Sequence, residues 1–267
     1  MNEAATLLRP ALDGLALIAG LSFLTWLASL VRRDASLADR AWPAFIGGAA
    51  VVYLAHAANP GARSFVMAGL AVAWALRLGI YITRRNRGHG EDRRYEQMRE
   101  RNSPHFGWKS LYLVFGLQAL LAWLVGAPLL VGILAAPGFG VLDAAGAALA
   151  FFGIVFEAVA DAQMAHFKSS PTHQGRVMDR GLWRYTRHPN YFGEACIWWG
   201  LFLMALSAAG SAGAWTAVSP VLMTVLLLRV SGVRLLEKDM AERRPAYRAY
   251  MARTNAFIPG PPRQEPP

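Results

Sequence analysis

The sequence predicts an all-α membrane protein with seven membrane-spanning helices, its N-terminus outside and its C-terminus in the cytoplasm. Apolar stretches long enough to cross a bilayer recur along the chain. Hydrophobic residues make up 55% of the 267 residues and charged residues only 16%, whereas about a quarter of the residues in a soluble domain are charged. This composition excludes a soluble fold, and the aromatic content excludes a disordered basic chain.

Apolar runs of about 17 to 25 residues, the length that a bilayer requires, define the helices in order. We place them at residues 11–31, 42–58, 65–83, 111–135, 139–160, 191–210 and 213–231. The first run is too long for the core of a signal peptide and has no basic leading region beyond Arg9, so we expect it to be retained. We treat residues 1–258 as one integral membrane domain and the Pro-rich segment 259–267 as a disordered tail.

The basic residues orient these helices. Lys and Arg accumulate in cytoplasmic loops, and all but four of the 27 follow the first, third or fifth predicted helix or lie beyond the last. Arg9 and Arg63 fall on the opposite side, whereas Arg77 and Arg229 fall inside predicted spans, where a charge needs a partner, a cavity or the interface. No nucleic-acid recognition motif accompanies the net charge of +10, so the expected partners are membrane lipids or an anionic cofactor.

Cysteine and histidine usage excludes two kinds of structural site. The single cysteine, Cys196, cannot form a disulfide within the chain, and no Cys/His spacing matches a metal site. Cys196 falls within an apolar helix, where a thiol usually serves packing, so we give it no chemical role. We therefore expect no metal ligands.

The candidate site lies at the start of the sixth predicted helix. The segment 181–194 is rich in hydrogen-bond donors, and Pro189 favours the opening of a helix, which places Asn190 and Glu194 on one face. Helix starts attract anionic groups through their free N–H donors. The Arg, His, Tyr and Asn side chains here suit phosphate and ribose groups, and Glu194 suits a carboxamide or a ribose hydroxyl.

A second polar group ends the fifth predicted helix. Glu157 and Asp161 share one helix face, so they require a polar cavity or cationic partners. The loop that follows supplies basic residues, namely Lys168, Arg176, Arg180, Arg184 and Arg187. The pattern is typical of a salt-bridged helix end at the headgroup layer and equally of a binding site.

These motifs resemble the steroid 5α-reductase C-terminal-domain family, and more narrowly its bacterial branch. The matching residues are Asp161, Lys168, the run 182–194 and the closing stretch 237–259. The resemblance implies a seven-helix membrane reductase that uses NADPH to saturate a carbon–carbon double bond conjugated to a ketone. It also implies an apolar steroid-, isoprenoid- or lipid-like substrate that enters from the bilayer. We expect the protein in a bacterial inner membrane.

The resemblance assigns cofactor contacts position by position. The assigned residues are Asp161, Lys168, Arg176, Tyr185, Asn190, Glu194 and Arg229. Arg187, His188 and Arg234 complete the predicted cofactor-binding set. The eukaryotic steroid enzymes lack the His-Pro pair at 188–189, and this chain lacks their Gln-Glu pair on the second helix, so steroid specificity is not implied.

Tyr81 and Glu194 are the predicted catalytic residues. Glu194 is expected at the nicotinamide. In the steroid enzymes a tyrosine on the third helix, followed three residues later by an arginine, hydrogen-bonds the substrate ketone, and Tyr81 with Arg84 repeats that spacing. Aligning Arg77 instead would put Trp74 at the tyrosine position. Tyr81 is equally typical of an interfacial anchor near a helix end.

A second family leaves an alternative open. The Arg-His-Pro run at 187–189, the later Glu237 and the pair Tyr247 and Tyr250 are similar to an element of the isoprenylcysteine carboxyl methyltransferase group, which binds S-adenosylmethionine. That cofactor carries no phosphate, whereas NADPH needs several arginines, so the basic loops favour the reductase. A non-enzymatic lipid-binding or scaffold protein is the third hypothesis, because a fold does not guarantee an activity.

The basic loop 84–109 has two interpretations. It is either a lid over the adenine end of a cofactor, with Glu91, Asp92 and Tyr95 at its centre, or a solvated connector whose alternating Glu and Arg residues pair only with one another. Its arginines suit anionic lipid headgroups and an anionic cofactor equally well.

Overall fold

The computed structural model describes residues 3–230, 233, 237, 240 and 245–263. Every regular element among them is helical, as the sequence predicts. Arg234, one of the predicted cofactor-binding residues, lies outside the described residues.

The helices follow one another with short connections. They are α1 (Glu3–Arg32), α2 (Leu37–His56), α3 (Ala62–Arg85), α4 (Arg93–Arg101), α5 (Phe106–Ser110), α6 (Leu117–Val125), α7 (Ala127–Leu134), α8 (Val141–Ser169), α9 (Pro189–Ala209), α10 (Val218–Val225) and α11 (Pro245–Arg253). A π-helical turn, Leu111–Gly116, joins α5 to α6, and a 3₁₀ segment, Gly210–Ala217, joins α9 to α10.

Several helical runs are long and apolar enough to cross a membrane, which supports a multi-pass membrane protein. Within the described residues there are five, namely Thr6–Arg32, Ala62–Arg85, Phe106–Leu134, Val141–Ser169 and Pro189–Arg229. The last run contains the sixth predicted helix and the seventh as far as Arg229. The second predicted helix corresponds to α2, which is 20 residues long.

The first of two compact units contains Met1–Ala147 and Leu201–Ser219. Helices α1, α2, α3, α6 and α7 contact one another there. Their apolar faces bury large side chains completely, among them Trp74, Tyr53 and Phe45. Burial of this kind stabilises a membrane helix bundle mainly through close van der Waals packing, because lipid tails are as apolar as the helices themselves.

A buried ion pair joins the start of α3 to the start of α8 within this unit. Two guanidinium nitrogens of Arg63 donate to the two carboxylate oxygens of Asp143 at 2.6 and 3.0 Å. Asp143 also accepts from the Gly140 N–H and the Ser207 hydroxyl, each at 2.8 Å. Both charges are buried, Asp143 completely. Arg63 therefore has the carboxylate partner that a buried cation requires.

The loop 84–109 is docked on the first unit by contacts outside itself. The Tyr95 hydroxyl donates to Asp39 at 2.6 Å, and burial together with the Asp39 charge raises the Tyr95 pKa. Glu91 accepts from the Ala35 N–H at 2.7 Å and from Arg99 at 2.8 Å. Burial opposes ionisation of Glu91, but these hydrogen bonds outweigh it and hold its pKa below the usual value. The loop is thus more than a connector that pairs with itself.

The second compact unit contains Ala148–Gly200 and, from Pro220 onward, the C-terminal part of the chain. It holds the C-terminal part of α8, the loop 170–188, the first half of α9, and α11. Of the predicted tail, residues 259–263 are described, and the N–H groups of Gly260 and Arg263 donate to carbonyls of this unit at 3.0 and 2.8 Å. Ten of the predicted site residues belong to this unit, and one of them, Arg234, is not described.

Candidate functional site

The site begins with a close contact between α8 and α9 in the second unit. A β-carbon added at Gly153 would lie 2.5 Å from the carbonyl oxygen of Gly193, and one added at Gly193 would lie 2.8 Å from that of Gly153. Only glycine leaves room for two backbones at this distance. Phe156 and Phe192 pack edge to face beside the contact, with ring centroids 5.6 Å apart.

This contact brings polar side chains of the two helices together. Glu157 and Asp161 follow Gly153 by one and two helical turns, and Asn190 and Glu194 flank Gly193. The Asn190 amide donates to Asp161 at 3.5 Å. Three of these residues are carboxylates with at most 6% of their surface exposed. Asp161 thus has the polar environment that its place on an apolar helix requires.

Glu194 is positioned by its own helix. The indole N–H of Trp198, one turn later, donates to Glu194 Oε1 at 2.8 Å. Trp198 therefore fixes the orientation of the Glu194 side chain.

Arg187 is the centre of a buried network before α9. It pairs with Glu237 through two nitrogens at 2.6 and 3.1 Å and donates to the Met251 carbonyl at 2.9 Å. His188 lies 3.1 Å from Glu237 Oε1 and stacks on Tyr191. Burial opposes ionisation of Glu237, but the hydrogen bonds from His188 and Arg187 and the Arg187 charge outweigh it and lower its pKa. The network attaches the segment before α9 to the C-terminal part of the chain.

Two tyrosines of α11 pack together, and one of them binds the loop before α9. The rings of Tyr247 and Tyr250 pack edge to face at 5.6 Å, and the Tyr250 hydroxyl donates to the Trp183 carbonyl. The Trp183 indole in turn donates to the Ala160 carbonyl of α8 at 3.0 Å. Burial, followed by the Glu237 charge, raises the pKa of Tyr247 to about 12. Burial also raises the pKa of Tyr250, so both phenols stay protonated at neutral pH, and Tyr250 serves as a hydrogen-bond donor.

The remaining predicted cofactor contacts that the structure describes have exposed side chains. They are Lys168, Arg176, Tyr185 and Arg229. Arg229, which the sequence places inside a predicted span, lies in the π-helical turn Leu226–Val230 at the end of the last candidate span. Cationic side chains of this kind form charge-assisted hydrogen bonds with phosphate groups.

Tyr81 belongs to the first unit, in the last turns of α3. Its side chain is partly buried, and the Arg85 guanidinium lies over its ring, 5.8 Å from the centroid. A cation over an aromatic face near a helix end is typical of an interfacial anchor. The catalytic role of Tyr81 stays a prediction.

Two residues of the second unit that bind predicted site residues are not themselves in the predicted cofactor-binding or catalytic set. Glu237, which binds Arg187 and His188, lies about 50 residues further along the chain, and no local spacing indicates that contact. Trp198, in contrast, follows Glu194 by four residues, and that spacing could have predicted the hydrogen bond.

Alanine substitutions at two glycines, one in this contact and one outside it, should change the stability in opposite directions. Gly153→Ala should lower the free energy of unfolding by about 1–3 kcal/mol, because the added methyl group overlaps a carbonyl oxygen. Gly69→Ala on α3 is the control, since a β-carbon there meets no atom within 4 Å. That variant should gain up to about 1 kcal/mol from helix propensity. Equilibrium unfolding in mixed micelles measures both, and a stabilised Gly153→Ala would contradict the close contact.

Comparison with known proteins identifies the family. The protein-family model described as "Protein of unknown function (DUF1295)" matches residues 25–254. An uncharacterized protein of Schizosaccharomyces pombe is similar to this chain, with 27% identity over 280 residues that cover 94% of the chain and 80% of the yeast protein. No solved structure matches the chain. The family match includes most of the sequence, with α8 and α9 among it. The chain therefore belongs to the DUF1295 family.

Proposed function

We propose that the protein is a membrane-embedded reductase that uses NADPH to saturate a carbon–carbon double bond conjugated to a ketone in an apolar substrate. One observation carries this proposal. Asp161, Asn190 and Glu194, which the resemblance to the steroid 5α-reductases assigns to the cofactor, lie on the facing parts of α8 and α9. Ionisable side chains buried in an apolar helix pair are uncommon and by default indicate a functional site.

The residues of the second unit fit such a cofactor by their chemistry. Lys168 and Arg176 are exposed and cationic, as phosphate groups require, and the carboxylate of Glu194 is the type of group that accepts from a carboxamide. NADPH supplies a hydride when bound. Glu194, held by Trp198, would orient the carboxamide of a bound cofactor, and the buried faces of α8 and α9 would exclude water. Tyr81 is the proposed donor to the substrate ketone, on the resemblance alone.

We also propose the full topology of seven spans, with the N-terminus outside and the C-terminus in the cytoplasm. The run Pro189–Arg229 has 41 residues, which as a helix would extend about 60 Å, twice the hydrocarbon thickness. Gly210, at a φ of 56°, interrupts it and supports two spans. Helix α2, with 20 residues, would bring the number of spans to seven. The resemblance and the basic loops support a bacterial inner membrane.

A methyltransferase is the second candidate. It is supported by the contacts that join His188 and Arg187 to Glu237 and bring Tyr247 against Tyr250, because the similar element of the isoprenylcysteine carboxyl methyltransferases consists of these residue types. S-adenosylmethionine is its cofactor. The absence of phosphate in S-adenosylmethionine separates the two candidates experimentally.

Cofactor binding to the detergent-solubilised protein tests the proposal. We expect calorimetry to detect NADPH, with weaker binding of NADH. A phosphate contact is a charge-assisted hydrogen bond of about 1.5–3 kcal/mol, so Lys168→Ala and Arg176→Ala should each weaken NADPH binding about tenfold or more.

Arg180→Ala is the matched control, because Arg180 is exposed in the same loop and is not among the predicted cofactor-binding residues. It should bind NADPH like the parent. Equal affinity of all three variants would refute the phosphate assignment. Binding of S-adenosylmethionine without NADPH binding would replace the reductase with the methyltransferase.

A further inference from the structure

A basic cavity lies in the first unit, where α1 ends, α2 begins and α3 ends. Its volume is about 740 Å³, which is within the range of ligand sites. Five arginines and two carboxylates line it. The arginines are Arg32, Arg33, Arg40, Arg84 and Arg87.

Both carboxylates of the cavity are already engaged. Asp34 accepts from the Ser36 N–H at 2.9 Å and pairs with Arg40 at 3.3 Å. Glu91 accepts from the Ala35 N–H and pairs with Arg99, as described above. Within the described part of the chain the other four arginines form no ion pair. Cations gathered without partners repel one another, so the cavity favours an anion.

An apolar groove about 680 Å³ in volume continues from this cavity between α2 and α3. The two spaces share Arg40, Thr83 and Arg84. The Nε atom of Arg40 at this junction is buried and has no hydrogen-bond partner among the described residues. Leu76 and Ile80 along the groove are 61% and 49% exposed, so the groove is open to its surroundings.

The groove has the length of one membrane leaflet. On α3 it extends from Val72 to the shared Thr83, which is about 16 Å at the rise of an α-helix. Half of the hydrocarbon thickness is about 15 Å. The basic cavity lies at the end of α3, where the apolar run stops. An acyl chain in the groove would therefore have its headgroup at the cavity.

Arg33 adds an independent observation from the backbone. It occupies the left-handed region with a φ of 52°, and the Asp34 N–H donates to the Ser29 carbonyl at 3.1 Å. This is the helix-ending motif in which glycine is usual. Non-glycine residues in this region are uncommon and cluster at functional sites, so the conformation of Arg33 supports a role for it at the cavity.

We propose that the groove and the cavity form one binding site for an anionic membrane phospholipid, with an acyl chain between α2 and α3 and the phosphate among the arginines. The positive charge selects the headgroup, and the leaflet-length groove selects a lipid over a free phosphate. The site belongs to the first unit alone and does not rest on the proposed reductase activity.

Native mass spectrometry of the full-length protein tests the site with three probes. These are phosphatidylglycerol, phosphatidylcholine with the same chains, and glycerol 3-phosphate. Phosphatidylglycerol should be retained about tenfold or more over phosphatidylcholine, as expected for at least one charge-assisted contact. Glycerol 3-phosphate should not displace it. Equal retention of the two lipids, or displacement by glycerol 3-phosphate, would overturn the proposal.

Variants at the cavity test the headgroup contact. Arg84→Gln and Arg33→Gly should each reduce phosphatidylglycerol retention to nearly that of phosphatidylcholine. Arg33→Gly should not lower the melting temperature, because glycine suits the left-handed position. Arg101→Gln is the control, since Arg101 is exposed outside the cavity. If Arg101→Gln loses as much lipid as Arg84→Gln, general surface charge explains the binding and the site is refuted.

A matched glycine pair tests the groove. A β-carbon at Gly79 or at Gly69 meets no atom within 4 Å, but only Gly79 lines the groove. Gly79→Leu should fill the groove and lower phosphatidylglycerol retention severalfold, whereas Gly69→Leu on the same helix should not. Equal retention in both variants, or displacement of the lipid by NADPH, would overturn the proposal. Displacement by NADPH would assign the cavity to the cofactor and leave the reductase proposal standing.

Discussion

Glu237→Gln is expected to lower the free energy of unfolding by about 3–5 kcal/mol, the usual result of removing one partner from a buried ion pair. The variant leaves the Arg187 guanidinium, only 9% exposed, without its carboxylate. The remaining contacts of Arg187 among the described residues are the neutral carbonyl oxygens of Met251 and Thr254, which do not compensate a full charge. The same change removes the charge that faces His188.

Equilibrium unfolding in mixed micelles measures this loss, and Asp179→Asn is its control. Asp179 pairs with Arg253 in the same unit, but both side chains are more than a third exposed. An exposed pair contributes about 0–1 kcal/mol. Similar losses for the two variants would show that burial does not set the strength of the Arg187 network.

The same network makes the stability depend on pH in a defined direction. The pKa of Glu237 is lower in the folded chain than its ordinary value. The ionised carboxylate is therefore bound more strongly in the folded state, and this stabilisation is complete above the unfolded-state pKa of about 4.3. It should disappear as the pH falls through the lower, folded-state pKa. Glu237→Gln should show a smaller loss of stability than the parent over that acidic range.

Asp143→Leu should be equally destabilising in the first unit, by about 3–5 kcal/mol. It leaves the buried Arg63 cation unpaired and removes the acceptor of the Gly140 N–H and of the Ser207 hydroxyl. The double variant Arg63→Met with Asp143→Leu should recover most of that loss, because replacing both members of a buried pair by apolar residues is often nearly neutral.

Comparison of the single and double variants by equilibrium unfolding decides this prediction. Ser207→Ala serves as the control, since it removes one neutral hydrogen bond to Asp143 and should cost about 1 kcal/mol. If the double variant is less stable than Asp143→Leu, the ion pair does not account for the loss.

Local sequence patterns predicted the parts of the fold that depend on neighbours along the chain. The proline rule placed the start of a helix at Pro189, where α9 begins. The spacing of Glu157 and Asp161 predicted that apolar helix α8 needs polar partners, and Asn190 is one of them. Asp92, which caps α4 by accepting from the Arg94 N–H, is a further short-range signal of this kind.

Contacts between distant segments could not be predicted in the same way. Periodicity assigns a residue to a helix face but does not say which helix that face contacts. The Gly153–Gly193 approach and the binding of Arg187 by Glu237 both depend on how separate helices pack. The loop 84–109 is a further example, because its docking depends on Asp39 and Ala35 of an earlier segment.

The glycine contact between α8 and α9 also determines their rotational register. Successive residues of an α-helix are about 100° apart around its axis, so a slip of α9 by one residue would turn Glu194 away from the face that carries Asp161. Such a slip would also bring the β-carbon of Glu194 or Phe192 toward the Gly153 carbonyl, where a β-carbon has no room. Sliding by single residues is therefore blocked sterically in both directions, and the acceptors on the two helices keep one fixed alignment.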